Sequence, residues 1–265
     1  MLRPYFDVIA APSLPPRHPF LDWPGPLAFA HRGGASEAPE NTMPAFQGAI
    51  DLGYTYLETD VHVTRDGVVV AFHDDDLQRT CGRNGCISDL AWSDVATARV
   101  DGREPVPRLD ELLAAWPTAR VNIDCKTDRA AEPLAELLER SGALDRVCVA
   151  SFSDRRTASL RHRLGPRLCT AAGPRELASL RLVGRGGRAS MAAQVPVRHG
   201  RVTVVNRRFV AHAHRRRMHV HVWTIDDADE MGRLLDLGVD GIMTDRPAML
   251  RDVLAARGLW VAASR

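Results

Sequence analysis

From residue 27 onward, short apolar segments rich in β-branched residues alternate with longer amphipathic ones. A chain patterned this way builds βαβ units, and hence a parallel sheet covered by helices. Strand patterns fall at residues 27–30, 55–61, 68–72, 120–124, 147–150, 168–171, 202–205, 219–223 and 240–243, with helical patterns at 44–52, 109–116, 130–141, 226–237 and 247–257. That is one strand more than a (β/α)8 barrel needs. The surplus is either the segment after the Arg65-Asp66-Gly67 turn or the short one before Asn206. An open doubly wound sheet has a similar period, so the pattern alone favours the barrel only mildly. At 265 residues with 45% hydrophobic content the chain fits one such domain.

Seven of the 17 prolines lie in the first 26 residues. They break any helix and any apolar signal core there, so residues 1–26 read as an extended N-terminal arm. Five cysteines without Cys-x-x-Cys or zinc spacing suggest a reducing, cytoplasmic setting. Cys81 and Cys86 could close a small disulfide, although two free thiols is the plainer reading. The net charge of +2 gives no case for nucleic-acid binding, and the absence of a long apolar run gives none for stable membrane insertion. The 35 basic residues include a single lysine, Lys126.

Barrel enzymes carry their chemistry at the C-terminal ends of the strands. There the sequence places His31-Arg32-Gly33-Gly34, Glu58 and Asp60, His73-Asp74, and Asp124-Cys125-Lys126. Strand alternation puts Glu58 and Asp60 on one face, and likewise Asp124 and Lys126. Three inward carboxylates need a positive partner. Arginine bridges such as Arg32 would serve, and so would one divalent cation, Mg²⁺ or Ca²⁺, for which hard oxygen ligands are suited. His31 and His73 beside this cluster suit a general acid and general base near neutral pH. Arg32 and Lys126 suit the oxygens of an anionic phosphate ester, and Trp223 stands where it can line the pocket. The segment from Pro39 to Pro44 starts a helix, and Glu40 and Asn41 within it are candidates to orient His31. His219 and His221 share a strand face, but no carboxylate of suitable spacing makes them a metal pair. Nucleophile-elbow, zinc-protease, Walker and dinucleotide motifs are all missing.

In order and spacing these residues resemble the glycerophosphodiester phosphodiesterase family over roughly residues 27–250. The motifs are His31-Arg32-Gly33 with Pro39-Glu40-Asn41-Thr42, Glu58-Thr59-Asp60, His73-Asp74, Asp124-Cys125-Lys126, Trp223-Thr224 and Thr244-Asp245-Arg246-Pro247. The resemblance implies a (β/α)8 TIM barrel over residues 27–258 with a small insertion at about 75–107, followed by a tail at 259–265. It also implies a metal on Glu58, Asp60 and Asp124, an acid/base pair in His31 and His73, and phosphate contacts from Arg32 and Lys126. The activity expected is metal-dependent hydrolysis of a small glycerophosphodiester to glycerol 3-phosphate and an alcohol. A lysophospholipase D acting on lipid head groups and a non-catalytic phosphodiester-binding barrel are the alternatives. Two positions depart from the family pattern. Asp124 replaces the usual glutamate, drawing the carboxylate back by about 1.5 Å, and Asp226 stands where asparagine is common. Head-group preference and oligomeric state are not legible at this level.

Overall fold

The computed structural model describes residues 17–187 and 189–263. Eight parallel strands form the barrel: β1 (Leu27–Ala30), β2 (Tyr56–Val63), β3 (Arg120–Cys125), β4 (Val147–Ala150), β5 (Cys169–Thr170), β6 (Ala192–Pro196), β7 (His219–Trp223) and β8 (Gly241–Thr244). Neighbours pair in parallel from β5 through β1 to β8, β7 and β6. The ring closes between β5 and β6 through the parallel Ala171–Ala192 bridge, with the Ala172 amide donating to the Ala192 carbonyl at 2.8 Å. Leucine, valine and alanine side chains on the outer strand faces pack against the helices in one continuous core.

Both candidates for the surplus strand lie off the barrel. Val69–Ala71 pairs antiparallel with the end of β2. Val202–Thr203, expected within 202–205, forms a two-residue hairpin with Arg198–His199. The true sixth strand, Ala192–Pro196, is rich in small and polar residues and lacks the β-branched run that marks a strand from sequence.

The barrel interior holds a second cluster that includes Leu27, Phe29, Tyr56, Cys148, Cys169 and Met243. Phe20 and Leu21 complete it from below, so within the described residues the N-terminal segment is a floor for the barrel and not the extended arm expected there. Phe20 is fully buried and meets the Tyr56 ring edge-on at 5.3 Å. The first 16 residues of that expected arm lie outside the described residues. At the other end Leu259 and Trp260 pack back onto the main core, with the Trp260 and Tyr54 rings 5.1 Å apart, so the start of the tail is docked. The insertion has a small core of its own around Leu77, Ile87, Val95 and Val100, and Cys81 and Cys86 are both free thiols. No helix among the described residues is long and apolar enough to cross a membrane.

Candidate active site

The C-terminal strand ends open into a cavity of about 640 Å³ whose lining includes His31, Arg32, Glu58, Asp60, His73, Asp124, Lys126 and Trp223. Every residue expected to bind metal, phosphate or protons therefore meets in one place. Glu58, Asp60 and Asp124 are 4%, 2% and 7% exposed, which makes their charge balance decisive.

The turn after β1 does much of the positioning. Arg32 has a left-handed backbone (φ 52°), and Gly33 follows at φ 85°. A Cβ on Gly33 would stand 2.7 Å from the Ala45 side chain and 2.8 Å from the Phe46 backbone nitrogen, so only glycine fits. The turn aims the Arg32 amide at Glu58 Oε2 (3.1 Å) and brings its Nε to 3.1 Å from Asp60 Oδ2. Across the site Lys126 Nζ lies 2.7 Å from Asp60 Oδ1 and 2.8 Å from Asp124 Oδ2. Burial alone would raise the Asp60 pKa. Lys126 and Arg32 outweigh it, and the pKa falls below the usual value. Glu58 has no such ammonium, so burial and then the Asp60 charge push it up to about 7.

His31 and His73 are held alike. His31 Nδ1 is 2.6 Å from Asp245 Oδ1, and His73 Nδ1 is 2.6 Å from Asp74 Oδ1. Each carboxylate accepts the Nδ1 proton, leaving Nε2 as the nitrogen available for chemistry. Burial works against a charged His31, but Glu58 and the Asp245 hydrogen bond prevail and raise its pKa. Asp245 had no assigned role in the sequence reading, although it lies in the Thr-Asp-Arg-Pro motif. Asp226 explains its placement: Oδ1 accepts from the Asp245 amide and from Thr244 Oγ1, both at 2.8 Å. Asp226 thus buttresses the carboxylate that holds His31, through an acceptor oxygen that asparagine would also supply.

The expectation that Glu40 and Asn41 orient His31 is corrected by their contacts. Asn41 Nδ2 donates to Asp60 Oδ2 (3.1 Å) while its Oδ1 accepts from Thr59, so it positions a carboxylate. Glu40 accepts from Arg32 Nη1 at 3.1 Å and from Arg79 Nη2 at 2.6 Å. Arg79 also reaches Asp74, linking the supports of Arg32 and His73. His219 and His221 lie inside the barrel away from this cluster, with their rings 5.9 Å apart.

Among the described residues no three His, Cys, Asp or Glu side chains converge as a finished metal shell, since the Lys126 ammonium sits between Asp60 and Asp124. The donor set nevertheless fits a hard divalent cation. Asp124 Oδ1 is buried without a hydrogen-bond partner, and the Glu58 and Asp60 carboxyl oxygens line the same cavity.

An eight-stranded parallel barrel with paired histidines, clustered carboxylates and cations at the strand ends is suited to hydrolysis of a phosphate ester. Residues 31–249 match the model of the glycerophosphoryl diester phosphodiesterase family, and the chain belongs to that family. A probable glycerophosphodiester phosphodiesterase 2 of Mycobacterium tuberculosis is 43% identical over 91% of this chain and 95% of its own. A lysophospholipase D of Homo sapiens is 29% identical over 85% of each chain. In fold, the chain is similar to an Oleispira antarctica phosphodiesterase in complex with the product sn-glycerol-3-phosphate. The TM-score is 0.74 at 21% identity, covering 87% of this chain and 97% of that one.

Proposed function

We propose that the protein hydrolyses glycerophosphodiesters to glycerol 3-phosphate and an alcohol by acid-base catalysis from His31 and His73. The observation that carries this reading is the pair of carboxylate-held imidazoles lining one cavity with Arg32 and Lys126. The phosphodiester anion docks against the Arg32 guanidinium and the Lys126 ammonium, which draw its oxygens toward the strand ends. One imidazole Nε2 takes the proton of the attacking hydroxyl, and a P–O bond forms to that oxygen. The other imidazole delivers a proton to the departing alcohol oxygen as its P–O bond breaks. Asp245 and Asp74 keep the two rings in the tautomer this requires.

A divalent cation, Mg²⁺ or Ca²⁺, held by Glu58, Asp60 and Asp124 would neutralise a phosphoryl oxygen and make the attacking hydroxyl more acidic. With five free thiols, the described residues suit a reducing cytoplasmic setting. Release of glycerol 3-phosphate from glycerophosphocholine, measured with Mg²⁺, with Ca²⁺ and with EDTA, tests the reading. Turnover that EDTA abolishes and one of the ions restores is expected, whereas turnover indifferent to EDTA removes the cation from the account.

A further inference from the structure

Charge is spread unevenly along the chain. Residues 177–225 hold ten of its 35 basic side chains and none of its 33 acidic ones, in a protein whose net charge is only +2. This stretch builds one side of the cavity mouth, from the helix Pro174–Val183, the end of β6, the 198–203 hairpin and the start of the helix Arg207–Arg215. A helix that follows a barrel strand starts at that strand's C-terminal end. Arg207 and Arg208 therefore stand at the same end of the molecule as the mouth, while Arg215, Arg216 and Arg217 belong to the far end. Arg198, Arg201, Arg207 and Arg208 are exposed, and among the described residues neither they nor Arg181 pair with a carboxylate. Arg181 and Arg198 instead brace the rim: Arg181 Nη2 donates to the Thr203 carbonyl at 3.1 Å and Arg198 Nη1 to the Thr203 hydroxyl at 3.0 Å. The same rim carries bare hydrocarbon. Among the described residues the exposed large hydrophobic side chains are Phe152 (68%), Leu182 (72%), Val183 (64%) and Val202 (55%). Phe152, Leu182 and Val202 line the mouth, and Val183 adjoins Leu182 in the chain. Apolar surface concentrated in this way marks an interaction site.

We propose that this rim is a docking surface for an anionic lipid bilayer, on which the protein rests peripherally through one side of its cavity mouth. Two features of the rim match two layers of such a surface. The unpaired arginines face the charged headgroups, where each gains about fivefold in binding. The aliphatic side chains among them enter the boundary between headgroups and acyl chains. A nucleic acid would engage the arginines but offers no hydrocarbon to cover Leu182, Val183 and Val202. The far side of the mouth fixes the orientation. β2 stands across the ring from β6, and the strand segment paired to the end of β2 leads into Asp75, whose side chain is 84% exposed, and Asp76. An anionic surface repels that side, so contact is confined to the arginine side. Because acidic residues elsewhere balance the rim, the net charge of +2 conceals this polarity. The docking surface goes beyond the hydrolytic reading and does not depend on it, since binding is measured without turnover.

The test is cosedimentation of the full chain with phosphatidylcholine vesicles and with vesicles of phosphatidylcholine and phosphatidylglycerol. The wild type is expected to partition at least about tenfold more strongly into the anionic vesicles, and to lose that gain as salt is raised. The Arg201→Gln/Arg207→Gln/Arg208→Gln variant should lose most of the gain, at about fivefold per charge. The Leu182→Ser/Val202→Ser variant should bind the anionic vesicles about tenfold or more weakly. All five positions are exposed, so circular dichroism should stay native in both variants. Equal partition into the two kinds of vesicle, partition indifferent to salt, or anionic-vesicle binding that survives both sets of substitutions overturns the proposal. A duplex oligonucleotide bound as tightly as the anionic vesicles assigns the arginines to nucleic acid and overturns it as well. A dimer that Leu182→Ser/Val202→Ser dissolves, in a protein that leaves vesicles alone, assigns the patch to a second copy of the chain with the same consequence.

Discussion

Lys126 is the residue on which the site's charge balance turns. Its ammonium reaches Asp60 and Asp124 at once, 2.7 and 2.8 Å away, and still borders the cavity. A broad planar guanidinium on a three-carbon stem cannot occupy that gap in the same way. Lys126→Arg therefore keeps the charge but should lower kcat/KM by tenfold or more, with thermal stability near that of the wild type. Full activity in the variant would show that charge alone suffices. His31→Ala and His73→Ala should each lower kcat by about two decades or more while the far-ultraviolet circular dichroism stays native. Asp245→Asn, which keeps the shape but weakens the hold on His31 Nδ1, should cost less than His31→Ala and should shift the pH profile. A profile unchanged from wild type would exclude a positioning role. The carboxylate candidates were readable from sequence because each sits on a barrel strand and alternation fixes its face, while His31 and His73 lie in the turns just beyond strand segments. Asp245 and Asp226 were harder, since their effect depends on β8 closing beside β1, and His31 and Asp245 are 214 residues apart.

At the scale of elements, seven of the eight barrel strands follow from hydrophobic runs, and the eighth shows why such reading fails. In Ala192–Pro196 the outward positions are Ala193 and Val195, a single β-branched residue, and Gln194 faces a polar layer within the barrel, where its Nε2 donates to Asn122 Oδ1 at 2.7 Å. Nothing in that composition signals a strand, whereas the valines at 202, 204 and 205 do, and yet Val202 is half-exposed on a hairpin. The N-terminal segment misled for a related reason. Prolines rule out a helix, but a single 3₁₀ turn at Pro19–Leu21 suffices to bring Phe20 under the barrel, where the Tyr56 hydroxyl donates to its carbonyl at 2.7 Å. Because Phe20 is fully buried, Phe20→Ala should destabilise the fold by about 3–5 kcal/mol, read as a lower urea midpoint. A loss under about 1 kcal/mol would show that the floor is dispensable.

For the molecule as a whole, buried neutral histidines contribute to the loss of stability in acid. Burial lowers the pKa of His18 and His219, and takes that of fully buried His221 down to about 3. Between pH 3 and about 6.5 the unfolded chain binds protons at His221 that the folded chain refuses. Stability therefore rises with pH across that window, with His221 contributing up to about 1.4 kcal/mol per unit. His221→Gln should lose less stability than the wild type between pH 7 and pH 5, and an equally steep loss would remove His221 as a cause.

The central claim is phosphodiester hydrolysis with attack at phosphorus, and it is tested most directly by turnover of glycerophosphocholine in ¹⁸O-labelled water followed by ³¹P NMR. The account predicts glycerol 3-phosphate carrying the label on phosphorus, together with unlabelled choline. Choline phosphate as the product, label in the released alcohol, or no turnover with either Mg²⁺ or Ca²⁺ supplied would contradict it.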